Sequence, residues 1–345
     1  MSKDFLKDVV DQFGEDIELG KDGKIPYWVD SGSYALNRII SGSYLKGYPG
    51  GKIVEIYGEP STGKSYFIYT AIGNFQKQFG RDGIAVLDDT EDSFMPDFGA
   101  KLGMDVDRAI RVSSDTVEGH FKNVFMGAKG TKATEDEEAT KAKPGVIPYI
   151  LDKAPGTKVL LALDSVAALS TEHEKEVMFE KDDMTKAKKI KAGLRMNYKY
   201  VSDNEVLYLI SNHVYQVIGS YVPTKEAPGG KGIKFMSTVR IDLSATEIRD
   251  NDRVTIGTNV SLKISKNKIA PPFGKTQIKV LFETGIDKMS GVSDLLLHDG
   301  LIARKQLGWL YLHDGKKVRD SELTEEILLG ILDEKQGQVQ EEVKK

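Results

Sequence analysis

Apolar residues recur along this chain in two rhythms. Near the start, Phe5, Leu6, Val9, Val10 and Phe13 fall at helical spacing and Gly14 closes the segment, so a short amphipathic helix is expected. A Gly/Lys-rich turn at 20–23 leads into Ile25-Pro26-Tyr27-Trp28-Val29-Asp30, where Pro26 and the adjacent Trp28 and Val29 spoil strand alternation; this reads as an extended lead-in. From Ser31 helical spacing returns through Tyr34, Leu36, Ile39 and Ile40, ahead of a glycine-rich approach from Gly47 to Gly51. A strand with one charge, Glu55, is expected at 53–57, and short continuous apolar runs of the buried-strand type appear at 84–87, 159–163 and 206–210, with a helical stretch at 66–79 between the first two of these strands. Further strands are expected at 239–243, 260–264 and 278–282. Strands alternating with helices imply an α/β fold whose sheet is mostly parallel and flanked by helices on both faces. Residues 127–144 break the pattern: small, charged and nearly free of bulky apolar side chains, they read as a surface insertion. A compact piece at 295–318 and a charged, helix-like tail end the chain, and no long internal repeat is visible.

Composition narrows the classes. With 345 residues, 40% apolar and 29% charged, the chain suits one large globular domain with small appendages, or two ordinary domains. The best apolar run, 159–169, is too short to cross a membrane and contains Asp164. The first residues alternate charge with bulk and lack a signal-peptide core. The absence of cysteine excludes disulfides and thiolate metal sites and suits a reducing cytoplasm; the five histidines have no metal-ligand spacing. A net charge of −4 excludes a wholesale polycation, so any nucleic-acid contact needs a local basic surface.

The sharpest chemistry is Gly58-Glu59-Pro60-Ser61-Thr62-Gly63-Lys64-Ser65, which fits G-x-x-x-x-G-K-[ST] between an apolar strand and a helix. Glycines there let successive N–H groups turn inward onto phosphate oxygens; the lysine reaches the β- and γ-phosphates and the hydroxyl binds Mg²⁺. ATP and Mg²⁺ are the expected ligands, held by Gly58, Ser61, Thr62, Gly63, Lys64, Ser65 and Tyr66. Asp164 ends the run Val-Leu-Leu-Ala-Leu-Asp, where a carboxylate can hold the Mg²⁺ shell through water or, alternatively, cap a helix after Ser165. In Asp88-Asp89-Thr90-Glu91-Asp92, four carboxylates follow a strand; they serve a metal or an attacking water, or form a solvated acidic turn, and charge leaves open which one is a base.

These pieces together resemble the RecA family of homologous recombinases, especially its phage-encoded UvsX-like branch. The likeness is carried by Gly-Lys-Ile-Val-Glu-Ile-Tyr-Gly (51–58), Lys-Leu-Gly-Met-Asp (101–105), Asp-Ser-Val-Ala-Ala-Leu (164–169) and Lys-Asn-Lys-Ile-Ala (266–270), in the family's order and spacing over about 31–286. It implies a RecA-type P-loop ATPase core at 31–286, a short N-terminal polymerisation helix and linker at 1–30, and a small C-terminal domain with a charged tail at 287–345. By resemblance, Glu91 is the catalytic glutamate that activates water, Phe98 lies against adenine, and His213 in Ile-Ser-Asn-His senses the γ-phosphate. Bacterial members carry glutamine at that last position and UvsX-like members histidine. Lys266 and Lys268 match a pair that reaches the neighbouring subunit's ATP, and Phe282 matches a second aromatic at the nucleotide, also from the neighbour.

Two segments would meet DNA. One is the basic stretch 183–195, with Lys186, Lys189 and Arg195 as phosphate contacts; the other is 214–234, with Gly229, Gly230 and Lys231. By resemblance Met184 and Ile218 are wedges between bases. Tyr215 and Val217 stand where bacterial members are basic, which shifts the expected contact toward the first segment. The tail 336–345 mixes both signs, and the insertion 127–144 has no counterpart in the family. The resemblance implies a DNA-dependent ATPase that forms a helical filament on single-stranded DNA, pairs it with duplex DNA and exchanges strands in the cytoplasm, that of the host for a phage protein. A mediator and a single-strand-binding protein are further expected partners, and no membrane is. Two other readings stand beside it: a ring-forming helicase or regulatory ATPase, which usually places an arginine where Lys266 and Lys268 stand, and a passive single-strand binder with a vestigial ATP site.

Overall fold

The computed structural model describes residues 3–13, 24–127, 142–177, 185–216, 225–226 and 230–343. Helix α1 (Lys3–Phe13) forms where the helical spacing puts it and leaves Phe5 and Leu6 about half exposed. The lead-in is extended, as its sequence requires, but it is packed rather than loose. Strand β1 (Trp28–Val29) pairs antiparallel with a later strand at Tyr48–Pro49, Val29 is fully buried, and the Tyr27 ring meets Phe79 edge-on at 5.0 Å. Any outward reach of the N-terminal element therefore comes from residues before Tyr27. In α2 (Tyr34–Ser41), Ser33 accepts the Leu36 N–H at the start and Gly42, at φ 84°, closes the end. The strand at Tyr48–Pro49 is β2.

Alternation follows: β3 (Ile53–Gly58), α3 (Lys64–Phe79), β4 (Gly83–Asp89), α4 (Pro96–Lys101), β5 (Ala109–Val112), α5 (Val117–Phe121), α6 (Val146–Lys153), β6 (Lys158–Asp164), α7 (Glu172–Glu176), α8 (Lys186–Asp203) and β7 (Leu207–His213). A two-residue ribbon, β8 (Tyr215–Gln216) with β9 (Lys225–Glu226), precedes α9 (Gly230–Met236). The chain returns through β10 (Val239–Arg249), β11 (Thr255–Asn267), β12 (Lys275–Leu281) and β13 (Gly285–Ile286). One nine-stranded sheet results, in the order β13-β12-β11-β10-β3-β7-β6-β4-β5. Every pair from β10 to β5 is parallel, and the pairs from β10 out to β13 are antiparallel. This is the mostly parallel α/β sheet that the apolar runs predict. The strand β5 had no such signature, since four half-exposed residues at a sheet edge need no apolar run.

Alternate residues of β3 enter two apolar cores. Val54 and Ile56 pack with α2 and α3 on one face, and Ile53 packs with α5, α6 and α8 on the other. Each fully buried aliphatic side chain of these strands contributes about 1.5–3 kcal/mol, so the central strands cannot shift without losing many such terms together. The C-terminal residues form α10 (Val292–His298), a small antiparallel sheet of β14 (Arg304–Gln306), β15 (Trp309–Tyr311) and β16 (Lys317–Arg319), and α11 (Glu325–Val343). Leu296, Leu310 and Leu328 are fully buried in the same core as β10 to β12. Arg38 clamps this part with two bonds to Asp299, at 2.6 and 2.8 Å. Among the described residues no helix is long and apolar enough to cross a membrane. Residues 128–141 of the expected insertion lie outside the described residues.

Candidate nucleotide-binding site

The carboxyl ends of β3, β7, β6 and β4 meet along one edge of the sheet, the place where open α/β sheets bind ligands. A cleft of about 780 Å³ opens there, floored by residues 59–66. Only glycine fits at its first position: a Cβ on Gly58 would lie 2.5 Å from the Leu243 carbonyl oxygen. Gly63 turns the chain into α3 at φ 89°, a left-handed conformation that other residues adopt at a cost. The α3 N-terminus thus points its unpaired N–H groups into the cleft.

Lys64 is nearly buried, and its Nζ donates to the carbonyls of Gly58 and Glu59 at 3.2 and 2.9 Å. Burial pushes its ammonium down, while Asp164 and Glu91 push it up again. Ser65 Oγ donates to Asp164 Oδ2 at 2.8 Å, and Ser211 Oγ donates to the other carboxylate oxygen. Burial raises the Asp164 carboxyl against the lowering effect of those two hydroxyls. The alternative of a helix cap is overturned: among the described residues no helix starts between Ser165 and α7, so Asp164 caps none.

The acidic run separates by geometry. Asp88 turns into the core, where it takes a bond from Ser114 N and meets His120 Nδ1 at 2.7 Å. Asp89 accepts the N–H groups of Ser93 and Phe94 and pairs with Arg111, which also pairs with the exposed Asp92. Glu91 alone of the four lines the cleft. Ser165 Oγ donates to its Oε1, and His213 Nε2 stands 3.2 Å from the same oxygen. The Thr90 hydroxyl donates to the Ser165 carbonyl at 2.7 Å and the Thr90 N–H to the Asp164 carbonyl at 2.9 Å, fastening the Glu91 loop to the end of β6. The sequence marks Ser165 and Ser211 only as hydroxyls just past, or near the end of, an apolar strand.

Tyr66 and Phe98 also line the cleft, with rings edge-on at 4.8 Å. Phe282, which the resemblance places at a neighbour's nucleotide, lines its own chain's cleft, because β12 ends beside the stem of β11. One wall of the cleft is the β10–β11 ribbon, whose residues 244–247, Thr255 and Thr258 face it. The ribbon runs on past Leu243, the partner of Gly58, to a turn at 250–254 in which Asp250 accepts the N–H groups of Asp252 and Val254.

Lys266 and Lys268 do not join this cleft. Lys266 stands opposite Arg240, level with Glu55 rather than with the phosphate loop, and Lys268 is exposed beyond it. Of the DNA candidates, Lys186 and Lys189 contact their own chain: Lys186 Nζ donates to the Ala167 carbonyl at 2.9 Å, and Lys189 pairs with Glu118. Arg195 is exposed on α8. Gly230 begins α9, which lies so close to α8 that a Cβ on Gly232 would sit 2.7 Å from Lys191 Cβ; the two basic segments are neighbours. Met184, Ile218 and Gly229 lie outside the described residues, as does the side chain of Lys231.

Comparison with known proteins agrees with this geometry. The profile of the RecA N-terminal domain matches residues 2–124 and 150–287. The Protein RecA of Mycoplasmopsis pulmonis (strain UAB CTIP) is 30% identical over 323 residues, covering 92% of this chain and 85% of that protein. That of Paenarthrobacter aurescens (strain TC1) is 30% identical over 320 residues, covering 91% and 82%. Mycoplasma mobile supplies another Protein RecA, 27% identical over 317 residues, covering 90% and 86%. With a phosphate loop, a strand-end aspartate and a cleft glutamate in place, and a family profile spanning most of its length, the chain belongs to the RecA family.

Proposed function

We propose that the protein is a DNA-dependent ATPase recombinase that polymerises on single-stranded DNA, pairs it with homologous duplex and exchanges strands, and that it belongs to the phage-encoded UvsX-like branch of its family. The observation that carries the ATPase is the meeting of Lys64, Ser65, Asp164, Glu91 and His213 in one cleft. The histidine at position 213, where bacterial relatives have glutamine, supports the branch.

The donors at the strand ends are oxygens, which suits Mg²⁺: Ser65 would bind it directly and Asp164 through water. Held by these residues, the ion would supply charge neutralisation to the triphosphate. Lys64 has its ammonium at the mouth of the loop, ready to exchange backbone carbonyls for phosphate oxygens. Glu91, held by Ser165 and His213, has a fixed carboxylate that can orient a water and take its proton. His213 ends β7, so a side chain in contact with the base stands one residue before the candidate DNA segment 214–234.

Lys266 and Lys268 are offered to a neighbouring subunit, where they stabilise developing negative charge from across the interface. Support for assembly comes from α1, whose half-exposed Phe5 and Leu6 suit docking on an adjacent subunit; a head-to-tail contact of this kind that does not close gives a helical filament. Support for DNA comes from the adjacency of α8 and α9, with Lys188, Lys191 and Arg195 exposed on α8.

The test is ATP hydrolysis with and without single-stranded DNA, followed by joint-molecule formation between homologous single-stranded and duplex DNA. Hydrolysis should rise many-fold with DNA, and joint molecules should require ATP. A rate indifferent to DNA contradicts the reading, and closed rings in electron micrographs would favour a helicase or regulatory ATPase instead.

A further inference from the structure

Polar side chains cross the middle of the sheet in a row. Arg240 on β10 stands opposite Glu55 on β3, and Lys266 on β11 stands opposite Arg240. Asn212 on β7 joins the row by donating to Glu55 Oε1 at 3.1 Å, and Arg240 Nε donates to Glu55 Oε2. The guanidinium also lies over the Tyr57 ring, 4.4 Å from its centre. Glu55 and Arg240 are both buried. Such a pair is fixed, because separating its members would leave a lone charge in apolar surroundings.

Lys266 ends the row differently. Its ammonium donates to the last carbonyls of its own α9, Lys234 O at 2.7 Å and Phe235 O at 2.8 Å. Helix C-termini attract cations, so this resting contact is favourable in itself. The groups around it oppose it: Arg240 from β10, Lys268 from the same strand end and Lys234 from α9 are all cationic, with Glu55 as the counterweight. Partial burial, then Lys268 and Arg240, push the Lys266 ammonium down to about 8. A lysine whose whole task was to cap α9 would gain nothing from a guanidinium locked beside it.

We propose that Arg240, held by Glu55 and the Tyr57 ring, is a positioning residue for the intersubunit lysine: it weakens the resting contact of Lys266 with α9, so that the ammonium leaves for a neighbouring subunit's triphosphate. This rests on the role across the interface given to Lys266 above. At its far end the row reaches Asn212, one residue from His213, so the same strand that carries the sensor also braces the lock. The contact with α9 links the lysine to the helix in which the second candidate DNA segment ends.

The test is competitive acetylation of the full chain without nucleotide, with a trace of acetic anhydride and mass-spectrometric readout of each lysine across pH. In wild type the Lys266 midpoint falls well below that of the exposed lysines. In Arg240→Gln, which removes the like charge and keeps its counterweight Glu55, it rises toward that of the exposed lysines. In the same variant the DNA-stimulated kcat falls several-fold while ATP affinity of the isolated chain holds. A Lys266 midpoint equal to that of the exposed lysines in wild type, or unmoved in Arg240→Gln, overturns the proposal. A second measurement does not depend on that variant folding. Above pH 8 a docked, discharged lysine must take up a proton before it can leave as a cation, so the DNA-stimulated rate of wild type falls up to about tenfold per pH unit. The rate of Lys266→Arg, whatever its level, stays flat over the same pH range because arginine is charged throughout; equal decline in both overturns the positioning role. If Lys266→Ala hydrolyses ATP as fast as wild type, the fault lies instead with the role across the interface.

Discussion

The parallel half of the sheet and its antiparallel extension handle polar groups in opposite ways. Strands β3, β4, β6 and β7 are apolar through most of their length, and their chemistry collects at or just past their last residues, where Ser65, Glu91, Asp164 and His213 converge. Strands β11 and β12, and β10 beyond Leu243, mix buried with exposed positions, and their charges lie along the strands, with Lys266 level with Glu55 rather than with the phosphate loop. Strand ends on one edge make a pocket within one chain. Charges along an outlying ribbon are available to another molecule, so the extension is suited to completing a site elsewhere.

The largest test of that contrast is Lys266→Ala with Lys268→Ala. DNA-stimulated turnover should fall by about 10³-fold or more, the range for a charge supplied from across an interface, while calorimetry shows ATP binding by the isolated chain unchanged. Loss of binding instead would put the pair in the chain's own cleft and erase the contrast. Next, Glu91→Gln should lower turnover by about 10²–10⁴-fold with ATP and DNA still bound, as expected for removal of a base. Filter binding that shows DNA lost together with turnover would make Glu91 a structural part of the loop.

The third test addresses the point where the parallel half departs from its own pattern. Asp88, His120 and Tyr208 form a buried chain, with His120 Nδ1 and Nε2 each 2.7 Å from a partner oxygen. Asp88→Ala leaves those partners unmatched and should destabilise the fold by about 3 kcal/mol in urea titrations at neutral pH. Burial raises the Asp88 carboxyl, but bonds from His120 and Ser114 outweigh it and hold the group below the usual carboxylate range. Its folded value is therefore the lower one. The stability it supplies is present above the unfolded value, about pH 4, and is lost as pH falls through the folded value, so the gap between wild type and variant should narrow in acid. The smallest expected effect is Gly193→Ala in α8. The added Cβ would meet the Phe121 ring at 2.1 Å, and overpacking of this kind costs about 1–3 kcal/mol. A neutral midpoint shift would mean that α5 yields easily against the α8 helix.

What could be read in the sequence follows the same division. The expected strand at 53–57 and the apolar runs at 84–87, 159–163 and 206–210 lie within β3, β4 and β6 and, but for its first residue, β7, because a strand buried on both faces has little freedom to be polar. The phosphate loop was equally plain, since its chemistry is local. The buried chain at His120 was not: its partners lie 32 and 88 residues away, and in Val-Glu-Gly-His the histidine looks like a surface residue until the sheet closes over it. The same holds for Glu55 and Arg240, each an odd charge in an apolar run whose answer is 185 residues distant. At α8 the run of lysines does not reveal that the Lys186 and Lys189 ammonium groups meet Ala167 O and Glu118, on segments far away in the chain.

The β10–β11 ribbon offers an experimental handle. Its stem walls the nucleotide cleft while its turn at 250–254 stands in solvent, with Asp252 exposed and only its backbone N–H engaged by Asp250. A dye attached through a cysteine at that position, in a chain with no other thiol, would ride on the wall without touching the reacting groups. Occupancy could then be followed optically, turnover by turnover.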